Sequence, residues 1–392
     1  MTPSKLKKMV RDILPDVISL RHTLHAFPEI MFEEHTTRKI LMEALSDTDL
    51  KFLPAQLDTS IVALLAGDYP GANVTLRADM DALPIKDMSN NKWRSRNDGK
   101  SHACGHDGHM AILMGTIKVL MLLRDQIHGS VRFVFQPGEE GGGGGKQMVM
   151  NGLLEQEPKA SAVFALHVWP DIPVGIIATM PGPMMAAADT FTVAVKGSGG
   201  HGAKPHVTVD PIVISAQIIQ SLQTIPSRIV NPVDPVVVSV CSIQGGNATN
   251  VIPDSVIMKG TTRYFDNKLK KKIQTEMERI IRGICQAAGA RYEFDYEEGY
   301  TPLVNDEDMV KSARNVVETY LGKDKWMEIT KPSMGAEDFS YYLMKAPGAF
   351  FFLGVGEDSH KLHTSQFDFN DDAIENGILL LSAMTLETLN KS

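Results

Sequence analysis

Cysteine is scarce in this chain: 392 residues contain three, Cys104, Cys241 and Cys285. An odd, widely spaced set cannot build a disulfide framework, which excludes the small secreted scaffolds. Cys241 and Cys285 fall on apolar strand and helix positions, where core thiols are expected. Long apolar runs are also missing, and none approaches membrane-spanning length. The opening "MTPSKLKKMVRDIL" has no apolar stretch of signal-peptide length. Together these absences lead to an expectation of a soluble protein in the reducing cytoplasm. Concentrated basic charge is lacking too, with 39 Lys and Arg against 47 Asp and Glu. The runs "KLKK" (Lys5 to Lys8) and "KLKKK" (Lys268 to Lys272) sit in amphipathic stretches and read as solvated helix faces. Neither nucleic acid nor a membrane surface is an expected partner.

The apolar share is 43% and the charged share 22%, which excludes a mostly disordered or fibrous chain. The length suggests two domains. Leu6, Met9, Val10, Ile13, Val17 and Leu20 recur near the helical period, with Pro15 expected to kink or split that helix. Short apolar runs then alternate with helical stretches: "SIVALLAG" from Ser60, "NVTLRAD" from Asn73, a helix from about Met110 to Leu123, "SVRFVFQ" from Ser130, a short helix after Gly145, and "SAVFALH" from Ser161. Near-continuous apolar strands in that order predict an α/β fold with a mostly parallel sheet. After Asp189 the pattern changes. Strand, helix, two strands, helix and strand follow, from "TFTVAVKG" at Thr190 to "RYEFDY" at Arg291. That order is the ferredoxin-like βαββαβ unit, read here as an inserted α+β domain over 187–299 between segments 1–186 and 300–392. The chain then returns to the strand "FFFLG" at Phe350 and an amphipathic helix over Asp371 to Leu389.

Polar clusters follow the predicted strands. "RADMDALP", "PGEEGGGGG" and His167 all lie at strand carboxyl ends, where open α/β sheets bind ligands. The stretch "HACGHDGHM", His102 to Met110, holds three histidines and a cysteine in nine residues. Cys104 and His106 are two apart, so in extended backbone both could reach one metal, and the thiolate favours zinc over magnesium. The bland alternative is a buried free cysteine beside helix-capping histidines. Glu139 and Glu140 are adjacent, so one could bind metal while the other accepts a proton, which is the division of labour that metal-assisted hydrolysis needs. A solvated acidic turn would carry the same residues. His167, on a very apolar strand, also reads as a satisfied core histidine, and His363 in "HKLHTSQFDFND" is weak alone. His22, His25, His35, His102, His109, His128, His206 and His360 remain; His109, three after His106, would lie near it and support the site if a helix starts there, but a surface or capping role is the stronger expectation.

The motifs "LRADMDALP", "HACGHDGHMA", "FQPGEEG", "ALHVWP", "GSGGHGAKPH", "GGNATNVIPDS", "MGAEDFSYY" and "LHTSQFDFND" occur in that order along nearly the whole chain. Together they resemble the M20 metallopeptidase family in its D subfamily of amidohydrolases. Its members include N-acyl-amino-acid amidohydrolases, hippurate hydrolases, plant indole-acetyl-amino-acid hydrolases and N-acetyldiaminopimelate deacetylase. The resemblance implies a zinc-peptidase-like catalytic domain with the inserted unit as lid and dimerisation domain. It implies Cys104, His106, Glu140, His167 and His363 as ligands of two divalent ions, zinc or else manganese, cobalt or nickel. Glu139 matches the general base. His201 matches a lid histidine that stabilises the tetrahedral intermediate, and Asn250 and Arg263 match positions that hold the substrate's amide and carboxylate. The wider family has a metal-binding His-x-Asp where this chain has Asp79-Met80-Asp81, so Asp79 cannot be that histidine and Asp81 is expected to orient a ligand. The implied reaction is hydrolysis of an N-acyl amino acid by a homodimer, with a tetramer as the other assembly. A dipeptidase or carboxypeptidase with the same centre is the alternative enzyme. A metal-stabilised binding protein is the alternative outside catalysis.

Overall fold

Near-continuous apolar runs give strands covered on both faces. In the computed structural model, which describes residues 1–390, Ile61–Ala66, His128–Gln136, Ala162–Pro170 and Gly348–Gly356 are buried along most of their length. They belong to an eight-stranded sheet in the spatial order Lys51–Phe52, Ile61–Ala66, His128–Gln136, Tyr69–Asp79, Ala162–Pro170, Gly348–Gly356, Ile177–Thr179 and Trp326–Glu328. The four middle strands, from His128–Gln136 to Gly348–Gly356, pair parallel. Ile61–Ala66 and Lys51–Phe52 add antiparallel at one side. On the other side Ile177–Thr179 adds antiparallel and Trp326–Glu328 parallel to it. Parallel strands buried on both faces need no polar alternation, which is why the sequence shows none.

The helices Pro3–Ala26, His106–Met121 and Ile374–Leu389 pack on one another, and His106–Met121 and Ile374–Leu389 also pack on this sheet. The latter two are buried on nearly every side, so the helix expected to be amphipathic up to Leu389 has almost no solvated face. Close approach depends on small residues: a Cβ at Gly115 would meet Ile378 Cδ1 at 2.4 Å, and one at Gly377 would meet Ile112 Cδ1 at 2.6 Å. Burial of each core side chain such as Ile112 or Leu380 contributes roughly 1.5–3 kcal/mol. Pro15 does not split the first helix, which runs unbroken from Pro3 to Ala26. Pro15 lies on the exposed side, while Leu6, Val10, Val17 and Leu24 anchor the other side.

The chain forms two compact units. The first comprises 1–182, 304–331 and the chain from Asp338 onward; the second comprises Pro183–Leu303 and Pro332–Glu337. In the second, Val236–Gln244, Ser255–Tyr264, Ala187–Lys196 and Arg291–Tyr300 lie in that order, all antiparallel. With the helices Pro211–Leu222 and Asn267–Ala287 they form the βαββαβ unit. Asp210 and Asp266 cap the two helices by accepting from Ile212 N and Lys268 N. Phe191, Val193, Ile218, Ile273 and Met277 fill the space between sheet and helices. Cys285 is in this core, but Cys241 is exposed, against expectation. The register slips between Val240 and Ser242, so Cys241 is the extra residue of a β-bulge on an edge strand and turns away from the core. Among the described residues no helix is long and apolar enough to cross a membrane.

Candidate metal centre

The strand Tyr69–Asp79 has His128–Gln136 on one side and Ala162–Pro170 on the other. The chain reverses its winding there, the place in an open α/β sheet where loops beyond the strand carboxyl ends bind ligands. Asp81 follows the first of these strands, Glu139 and Glu140 follow the second, and His167 sits near the end of the third. Cys104 and His106 enter at the start of the helix His106–Met121. Gly105 makes this entry in the left-handed region, φ 81°, and a Cβ there would lie 2.5 Å from Val168. His363 follows the strand Gly348–Gly356. It is a non-glycine residue at φ 61°, held there by its amide donating to Ala103 O at 2.8 Å.

These side chains converge. Cys104 Sγ lies 3.3 Å from His167 Nε2 and 3.3 Å from His363 Nε2. Glu140 Oε1 lies 3.2 Å from His363 Nε2, without the alignment of a hydrogen bond, and 4.0 Å from His106 Nε2. Three trios, Cys104–His106–His167, Cys104–Glu140–His363 and His106–Glu139–Glu140, each have ligand atoms within 4.8 Å of one another. The far nitrogens of two histidines are occupied: His106 Nδ1 donates to Asp81 O at 2.7 Å and His167 Nδ1 to Val168 O at 2.7 Å. Each therefore presents Nε2 inward, the arrangement of a metal-binding imidazole.

The donor set suits divalent cations. His106 Nε2 and Glu140 Oε1 are buried and make no hydrogen bond. Burial, and then Glu140 and Glu139, hold the Cys104 thiol well above its usual range, so a thiolate there needs a cation beside it. Burial opposes charge on His106, but Asp79, Asp81 and Glu140 outweigh it and push its pKa up to about 10. Burial pushes His167 down to about 3, which keeps its imidazole neutral.

Asp81 accepts from Glu139 N at 2.9 Å and Glu140 N at 2.8 Å, so its carboxylate sets the backbone of the acidic pair. The same loop is held by Glu34, which accepts from Gly138 N at 3.1 Å, Phe32 N at 2.9 Å and Thr59 Oγ1 at 2.7 Å. His201, Asn250 and Arg263 lie on the second unit. His201 is exposed on the short strand Gly200–His201, and its Nδ1 accepts from Ala203 N at 3.1 Å. Asn250 is next to it, its carbonyl accepting from Gly202 N at 2.8 Å. Arg263 is half-buried and donates to Thr262 O at 3.0 Å and to Thr261 Oγ1.

Sequence reasoning passed over most of a second set. His109 does not take the expected surface or capping role but the weaker alternative, a buried place beside His106, with Nδ1 2.6 Å from Asp79 Oδ1. Arg77 donates to Asp79 Oδ2 at 2.6 Å, to Asp338 Oδ1 at 2.9 Å and to Gln136 Oε1 at 3.0 Å. The only sequence hint was the i, i+3 spacing of His106 and His109. Asp79, His106 and His109 also cluster within 4.8 Å, but the His109 and His106 Nδ1 atoms there are already committed to Asp79 and to Asp81 O.

Residues 75–387 match the model of peptidase family M20/M25/M40. "Thermostable carboxypeptidase 2" of Saccharolobus solfataricus is 37% identical over 395 aligned residues, 99% of each chain. "N-acyl-L-amino acid amidohydrolase" of Geobacillus stearothermophilus is 43% identical over 309 residues, 79% of this chain and 83% of its own. The solved Bacillus subtilis YXEP protein, described as a dinuclear metal binding peptidase, superposes with a TM-score of 0.85 at 32% identity, covering 97% of this chain and 99% of its own. The chain belongs to peptidase family M20/M25/M40.

Proposed function

We propose that the protein is a metal-dependent amidohydrolase that cleaves N-acyl-L-amino acids, acetyl, benzoyl or similar, into a carboxylate and a free amino acid. The observation that carries this reading is the pair His106 Nε2 and Glu140 Oε1, two buried ligand atoms 4.0 Å apart that have no hydrogen bonds. Cys104, His106, Glu140, His167 and His363 hold two divalent ions, zinc by the preference of the thiolate, with manganese, cobalt or nickel as substitutes. Such ions lower the pKa of water and polarise an amide carbonyl. Glu139 takes a proton from the attacking water and delivers it to the leaving nitrogen as the C–N bond breaks. His201 donates to the developing oxyanion. Asn250 and Arg263 hold the amide and carboxylate of the substrate, and Asp81 keeps the Glu139–Glu140 backbone in place. The βαββαβ unit acts as lid and as the contact of a homodimer, with a tetramer as the larger assembly. Three free cysteines suit a cytoplasmic location.

A second reading has a specific observation behind it. A relative spanning 99% of the chain is named a carboxypeptidase. The two chemistries differ little: each cuts an amide whose nitrogen belongs to an amino acid with a free carboxylate. A panel of acetyl- and benzoyl-amino acids, dipeptides and blocked peptides separates them. Turnover of the simple N-acyl amino acids at least about tenfold above the peptides supports the amidohydrolase. The reverse order supports the peptidase.

A further inference from the structure

We infer that His109 is a positioning residue: held by Asp79 in its Nδ1–H form, it accepts the Val168 N–H and so fixes the strand end that presents His167 to the metals. The inference rests on the reading of His167 as a ligand. The ladder between Tyr69–Asp79 and Ala162–Pro170 ends where Arg77 faces Ala165. Beyond that point the strand carrying His167 has lost its neighbour on that side. The Val168 N–H donates instead to His109 Nε2 at 2.9 Å. Val168 O, in turn, accepts from His167 Nδ1 at 2.7 Å, which aims His167 Nε2 toward Cys104 Sγ.

The His109 tautomer follows from its partners. An amide N–H only donates, so Nε2 must be the acceptor. The opposite nitrogen lies 2.6 Å from a carboxylate oxygen and must carry the hydrogen. Asp79 is itself held, because Arg77 binds its other oxygen and is fixed by Asp338 and Gln136. Asp338 also accepts from Gly145 N at 2.7 Å and Gln136 Nε2 at 2.8 Å. All of these side chains are buried. Arg77 also decides how an asparagine at position 79 would sit. The amide oxygen must face the guanidinium, so the NH2 group faces His109 and drives it to the Nε2–H form. Two N–H groups, of His109 and Val168, would then oppose each other.

The test is ¹⁵N spectroscopy of the histidine rings in the zinc-loaded protein, assigned through contacts between the His109 ring and the Val168 amide. The expected result is a neutral His109 with pyrrole-type Nδ1 and pyridine-type Nε2. An Nε2–H form in the parent protein overturns the proposal without touching the amidohydrolase reading, and no variant is needed. Asp79→Asn is expected to switch the tautomer and weaken zinc binding about 10–100-fold in a chelator competition. His109→Gln, which keeps an acceptor, is expected to retain more zinc affinity than His109→Leu. A switched tautomer with unchanged zinc affinity, or equal affinities for Gln and Leu, contradicts it. A parent protein with the expected tautomer that binds no zinc overturns the metal-centre reading, and this inference with it.

Discussion

Cys104 Sγ and His363 Nε2 lie 3.3 Å apart although 259 residues separate them in the chain. Nothing local joins them; a helix entry and a distant loop meet because the sheet brings its carboxyl ends to one edge. A thiol and an imidazole this close, beside Glu140, form one corner of the proposed centre. In that centre, replacing either would remove a donor atom. We expect Cys104→Ser and His363→Ala each to lower zinc content below that of the parent and to lower activity in step. Elemental analysis alongside turnover checks this, and full zinc content in both variants would count against it.

Glu139→Gln should behave differently. Its backbone bond to Asp81 does not depend on the side-chain charge, and Glu140 remains. The variant is expected to keep its metal and lose about 10²–10⁴ in kcat. Parent-like hydrolysis of N-acyl amino acids by this variant would show that another group is the base.

His201→Ala is expected to lower kcat by about 10²–10³ with unchanged metal content. His201 is exposed, so the fold should tolerate the change. Metal loss in proportion to activity would instead make it a ligand.

Glu34 links stability to pH. Burial raises its pKa from 4.5 to about 7, against the pull of Thr59 and backbone N–H groups. A raised carboxyl favours the folded state fully below the unfolded pKa, and that contribution is lost as pH climbs through the folded value. The parent should therefore lose stability between about pH 4.5 and 7 through this group. Glu34→Gln cannot ionise, so its melting temperature should gain on the parent's as pH rises from 5 to 8. A constant difference between the two across that range would refute the linkage.

Much of this was legible before the structure. Strands such as Ala162–Pro170 are apolar along their length because both faces are covered, and the alternation in Ala187–Lys196 reflects one covered face. The clustering of Asp81, Glu139, Glu140 and His167 at strand ends was visible as polar residues after apolar runs. Three-residue strands such as Ile177–Thr179 and Trp326–Glu328 were not, since so short a segment has no period to read. The spacing of His109 from His106 hinted at a supporting place, but its partner, Asp79, is 30 residues away and reaches it only through the fold. Cys241 was misjudged because a bulge shifts the alternation by one residue, and bulges leave little trace in composition.

The most direct test of the central claim is metal reconstitution. Chelated protein is titrated with zinc while hydrolysis of acetyl- and benzoyl-amino acids is followed. Two convergent sites predict negligible activity without metal and full activity at about two equivalents per chain. Parent-level hydrolysis by the metal-free protein, or tight binding of zinc with no amide hydrolysis at any loading, would contradict it.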